Sequence, residues 1–158
     1  MKKIAVLYSE YKPVIDAIKY TLRECEADYL TEAANMSKYD LVVNLCPEKF
    51  DADGIACHHS LLPSFASDEP EKEAILAGVK VTGITVYYTK TGKIIAQYPV
   101  FIKDDMHYDD LKLELDYLEQ VILPSVVRKT ADNERFDINC LISSGCGGNC
   151  GGCSSCRH

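Results

Sequence analysis

The chain has 158 residues, 47% of them apolar and 26% charged, with a formal net charge of −7, which is the composition of one globular domain. The acidic balance offers no electrostatic footprint for nucleic-acid phosphates or an anionic membrane surface, and no apolar run approaches the roughly 20 residues that span a bilayer. Glycine is absent before Gly54, which excludes a G-x-G-x-x-G dinucleotide loop or a P-loop at the first strand-to-helix turn.

Lys3 to Tyr8 reads as a short buried strand. The basic start Met1-Lys2-Lys3 is followed too soon by Ser9 and Glu10 for a signal-peptide core, so a cytoplasmic location is expected. Pro13 opens a helix in which Ile15, Ile18, Leu22 and Cys25 recur at helical spacing. Asp28 to Leu30 suggests a second strand, Thr31 to Met36 a helical turn, and Asp40 to Leu45 a strongly apolar strand. Gly54 to His59 reads as the next strand and ends in the polar run His58, His59, Ser60. In parallel sheets ligands gather at the carboxyl ends of strands, so this end is a candidate site.

Asp68 and Glu71 have capping-box spacing for a following helix, which Gly78 stops. Val79 to Thr89 and Lys93 to Ile102 predict an antiparallel pair with Gly92 in its turn. A long helix follows, its apolar stripe made by Tyr108, Leu111, Leu115, Leu118 and Ile122, with Pro124 near its end or kinking it. Its acidic residues Asp109, Asp110, Glu114, Asp116 and Glu119 read as a solvated outer face. Together these elements predict an α/β fold: an open, mostly parallel twisted sheet with helices on both faces, plus a C-terminal antiparallel pair and a long helix.

Five of the nine glycines and four of the eight cysteines fall between positions 145 and 156. Cys25, Cys46 and Cys57 sit in apolar patterns and read as buried thiols. Cys146, Cys150, Cys153 and Cys156, separated by glycine-rich spacers, supply four thiolates suited to tetrahedral Zn²⁺ or an Fe–S cluster. Without a ligand that tail is expected to be disordered, because it contains nothing that could form a core. Cys140 and His158 are possible extra ligands. The expected organisation is an α/β domain at 1–130, a linker at 131–142 and a Gly/Cys-rich tail at 143–158.

The stretch from His58 through Ser60, Leu61, Leu62 and Pro63, the segment from Glu73 to Tyr88, and the hairpin from Gly92 to Gln97 resemble the formyltransferase family. That family includes phosphoribosylglycinamide formyltransferase and the N-terminal domain of methionyl-tRNA formyltransferase. Its members carry an N-(I/V)-H-P-S-L-L-P segment and a D-x-G-x-I hairpin, and the likeness covers about Gly54 to Val127. The resemblance implies transfer of a formyl group from formyl-tetrahydrofolate to a small-molecule amine acceptor through a tetrahedral intermediate. An Asn and a His would handle the oxyanion and protons, supported by an Asp.

Carried over residue by residue, the family His falls on His58, its Asn on Ala56, its Asp on Lys90 and its Pro on His59. The resemblance makes His58 the catalytic candidate. It makes Ser60, Leu61, Leu62, Pro63, Lys90 and Gln97 the substrate-contact candidates, although Lys90 and Gln97 also read as ordinary hairpin charge and sheet packing. The half before His58 is short for the family, leaving Ser9 and Lys12 as weak stand-ins for an acceptor cradle. Two functions follow: a formyltransferase-type enzyme with altered or lost catalysis, or a binding, regulatory or redox module whose C-terminal cysteines hold zinc or an Fe–S cluster. Neither reading sets an oligomeric state.

Overall fold

The computed structural model describes residues 2–137. Its elements, in chain order, are β1 (Lys3–Leu7), α1 (Pro13–Thr21), β2 (Glu26–Leu30), a 3-10 turn at Met36–Lys38, β3 (Leu41–Asn44), β4 (Ile55–His58), α2 (Pro70–Ala77), β5 (Val81–Tyr88), β6 (Ile94–Phe101) and α3 (Tyr108–Ala131). The six strands form one sheet in the order β2-β1-β3-β4-β5-β6. β1 pairs parallel with β2 and β3, and β3 with β4, while β5 runs antiparallel to both β4 and β6. The mostly parallel sheet, the antiparallel pair and the long helix are all present.

Side-chain alternation along β1 divides the core. Ile4 and Val6 join Ile15 and Ile18 of α1 and Leu115, Ile122 and Val126 of α3 in the main cluster, with Ile75 of α2 at its margin. Ala5 and Leu7 face the other way, against Tyr39, Cys46, Phe50 and Ala52, with Met36 beside them. The three α-helices therefore share one face. The second face is closed by the 3-10 turn and the loop after β3, because the chain between Leu30 and Leu41 forms no α-helix. Among the described residues no helix is long and apolar enough to cross a membrane.

Two helix ends differ from the sequence reading. The expected Asp68–Glu71 capping box does not form: Glu69 is the N-cap of α2 without a side-chain bond, and Pro70 starts the helix. Glu71 is turned instead toward His59, which it reaches at 2.6 Å. The capping box sits on α3, where the His107 N–H donates to Asp110 Oδ2 at 3.1 Å. Nor does Pro124 end α3, which continues to Ala131. A proline inside a helix costs about 3 kcal/mol, and full burial of Val126 and Val127 just beyond it offsets that at about 1.5–3 kcal/mol each.

Chain order also locates the site. From β1 the chain passes through α1 to β2 on one side and then returns to β3 on the other. The topological switch point lies between β1 and β3, where open α/β sheets form their ligand crevice.

Candidate active site

A cavity of about 800 Å³ opens at that end of the sheet. Its walls include Lys12 and Pro13 at the start of α1, Pro47 and Glu48 after β3, and His58 and His59 at the end of β4. Buried Asn44 at the end of β3 shapes the intervening loop. Its Nδ2 donates to the carbonyls of Phe50 and Ala52 at 2.8 and 3.2 Å, and its Oδ1 accepts the Cys46 N–H at 3.1 Å.

His58 lies on the cavity wall with Nε2 3.0 Å from the Phe65 carbonyl. Because a carbonyl only accepts, Nε2 donates in this contact. The loop that supplies Phe65 is fastened from below by Thr85 of β5, a fully buried side chain. Thr85 Oγ1 donates to the Ser60 carbonyl at 2.7 Å and accepts the Leu62 N–H and the Gln97 Nε2–H, each at 3.0 Å. Gln97 also donates to the Leu62 carbonyl at 3.0 Å, and Ser60 Oγ to the Ser64 carbonyl at 2.6 Å.

Of the substrate-contact candidates, only Leu62 shares the cavity wall with His58. Ser60 and Gln97 stand behind it as loop fasteners, Leu61 packs against Gly83, and Pro63 is exposed. Lys90 lines an adjoining cavity of about 430 Å³ together with Asp51, Asp53 and Thr89, with Pro47 and Tyr87 bordering both. The register explains this: the Thr89 N–H donates to the Gly54 carbonyl at 2.9 Å, so the hairpin tip sits at the start of β4 and His58 at its end. Ala56 is completely buried within β4. The predicted thiolate ligands Cys146, Cys150, Cys153 and Cys156 lie outside the described residues, as do Cys140 and His158.

His59 is the larger surprise. Its Nδ1 lies 2.6 Å from Glu71 of α2 and 3.9 Å from Asp116 of α3, and its Nε2 2.8 Å from Glu119 of α3. Of the α3 acids, Glu119 is thus not part of a solvated outer face, with only 13% of its side chain exposed, while Asp116 borders the same cavity with 41% exposed. Their spacing of three places them on one side of the helix. That spacing was visible in the sequence, but their partner was not. Burial alone would lower the His59 pKa, yet the Glu119 and Glu71 bonds outweigh it and raise it to about 9. Burial likewise pushes the Glu71 carboxyl up, and the bond to His59 brings it below its ordinary value. Cys57, which also lines the cavity, is held well above the usual thiol range by burial, which fits a structural thiol.

The sign of the His59 shift fixes a pH dependence. Its folded value of about 9 exceeds the ordinary 6.5, so the stabilisation is fully present below pH 6.5 and is lost as pH rises through about 9. At about 1.4 kcal/mol per pKa unit, the loss is at most about 3 kcal/mol. Urea unfolding across that window, with a chelator present, should show the decline in the parent and a flatter profile in His59→Gln.

Known proteins resemble this chain in sequence and in fold. The formyl transferase family model matches residues 9–127, extending the likeness well before Gly54. A methionyl-tRNA formyltransferase from Acetivibrio thermocellus is 34% identical over 120 residues, covering 72% of this chain and 37% of its own length. A phosphoribosylglycinamide formyltransferase from Bacillus subtilis is 38% identical over 79 residues, covering 48% of this chain and 40% of its own. The chain thus spans about two fifths of the length of these curated relatives. The crystal structure of glycinamide ribonucleotide transformylase 1 from Symbiobacterium toebii superposes with a TM-score of 0.66 at 24% identity, covering 84% of this chain and 89% of that one, a likeness of fold. Since the family match runs over residues 9–127 and so takes in α1 and the His58 loop, the chain belongs to the formyl transferase family.

Proposed function

We propose that the domain binds a formyl-tetrahydrofolate-type one-carbon donor in the cavity beside His58 and has lost rapid transfer of the formyl group to an amine. The observation that carries this reading is the mismatch along β4. His58 stands oriented at the open end of the strand, while the position of the family Asn is the buried Ala56 and that of the family Asp, Lys90, lines the adjoining cavity and not the wall that carries His58. An alanine gives a developing oxyanion no side-chain donor, a loss of about 10²–10³ in kcat where such donors have been removed. The cavity itself persists, with room for a small organic ligand of ordinary size. Equilibrium dialysis should find one formyl-tetrahydrofolate bound per chain. Formate release and transfer to amine acceptors should run at least about 100-fold below the Bacillus subtilis relative assayed alongside. No binding at concentrations that saturate that relative, or equal turnover, would refute the proposal.

A second reading concerns the tail. Four cysteines within residues 146–156 support a zinc or Fe–S site attached to an independent 1–130 domain through residues 131–142. Deleting Ser143 to His158 should remove bound zinc or iron from anaerobically purified protein and leave the thermal midpoint of the α/β domain unchanged. Elemental analysis with an absorption spectrum checks this, and a metal-free full-length chain contradicts it.

A further inference from the structure

The His59 cluster has a composition that its hydrogen bonds alone do not account for. Three carboxylates, from Glu71, Asp116 and Glu119, converge on one imidazole. Beyond the imidazole itself, Lys112, which also lines the cavity, lies 3.9 Å from Asp116. Glu71 and Glu119 have 8% and 13% of their side chains exposed. Carboxylates brought together in a partly dehydrated wall are costly unless positive charge compensates them, and one imidazole and one half-exposed lysine leave the group short of it.

The donor geometry fits an ion. One ring nitrogen of His59 and one carboxylate oxygen each of Asp116 and Glu119 lie within 4.8 Å of one another. An imidazole with two carboxylates is a donor set for divalent first-row metals, and these three side chains reach the point from two different elements of the fold. Glu71 occupies the supporting position. It accepts the Nδ1–H at 2.6 Å, as the outer carboxylate does behind a metal-ligating histidine; Asp116 lies 3.9 Å from the same nitrogen, and Nε2, 2.8 Å from Glu119, is the nitrogen the ion would take. The formyltransferase motif has proline at position 59, so the fold has no requirement for a histidine there.

We propose that His59, Asp116 and Glu119 form a binding site for one divalent first-row transition metal ion, oriented by Glu71 and open to the cavity. Binding displaces the Nε2 proton of His59 to solvent. The remaining coordination positions face the space that also holds His58, where an oxygen of water or of a carbonyl ligand can reach the ion. The site stands on the cluster itself and does not depend on which organic ligand the cavity takes.

The test uses Mn²⁺ on the full-length, chelator-stripped chain, because Mn²⁺ favours carboxylate ligands over the thiolates of the tail. The free six-line electron paramagnetic resonance signal should be quenched at one equivalent. Pulsed spectra of the bound ion should show coupling to an imidazole nitrogen. Asp116→Asn and Glu119→Gln should each weaken binding at least about tenfold, His59→Gln should abolish the nitrogen coupling, and Cys146→Ser with Cys150→Ser should leave the affinity as it was. Circular dichroism checks that each variant is folded. The proposal is overturned by a free signal that persists at millimolar protein, by a bound ion without nitrogen coupling, or by an affinity that follows the cysteine variant instead of Glu119→Gln. The parent spectrum decides the matter even where a variant does not fold.

Discussion

Gly83→Ala is expected to destabilise the domain by about 4 kcal/mol, beyond the roughly 1–3 kcal/mol of ordinary overpacking. A Cβ at this position would lie 2.0 Å from the Tyr98 carbonyl oxygen and 2.7 Å from Leu61 Cδ2. The leucine could rotate away, but the carbonyl belongs to the backbone of the paired strand β6 and is fixed by the ladder. Either β5 and β6 separate or the 60–65 loop lifts from the sheet, and both loosen the wall that carries His58. Urea unfolding monitored by tyrosine fluorescence gives the number, and a loss below about 1 kcal/mol would mean that β5 and the loop are not packed as described.

Thr85→Val should cost about 3 kcal/mol with almost no change of shape. Valine fills nearly the same volume, so packing is retained while the hydroxyl is deleted. Three polar partners then lose their bond inside the protein: the Ser60 carbonyl, the Leu62 N–H and the Gln97 amide. Each buried group left unpaired costs about 1–3 kcal/mol, and Gln97 keeps its second acceptor at Leu62, which limits the sum. The loop should also open locally. Limited proteolysis between Leu61 and Ser67 should accelerate more than the global stability loss accounts for. Cleavage that merely tracks global unfolding would show that Thr85 is a packing residue and does not hold the cavity wall.

These two residues also mark where sequence reasoning reached its limit. Local periodicity revealed β1, α1, the β5–β6 hairpin and the stripe of α3, because each depends on neighbours within one or two turns or along one strand. Gly78 and Gly92 were legible for the same reason, and both adopt φ of +69°. Thr85 was invisible as a hub, since its partners lie in the loop after β4 and on β6. Motif alignment carried the family Asp to Lys90, whereas strand register places that residue at the far end of β4 from His58.

The His59 cluster was missed for an energetic reason as much as a geometric one. Glu71 had a capping-box position and Asp116 and Glu119 an acidic helix face, the usual surface roles for such residues. An imidazole from another strand end outcompeted those roles, because a charge-assisted bond in a partly buried wall is stronger than a solvated cap. Neighbouring strand residues point to opposite faces, a rule that lapses at the end of β4, which stops at His58. Both histidines reach the same cavity from there.

What enters that cavity decides the function of the domain. Titration of the histidine-labelled chain with formyl-tetrahydrofolate, followed by nuclear magnetic resonance, reads occupancy and chemistry together. The expected result is saturable shifts of the His58 and His59 ring signals at one ligand per chain, with the formyl resonance intact and no formate accumulating. Ring signals that do not move, or formate appearing as fast as with the Bacillus subtilis relative, would contradict it.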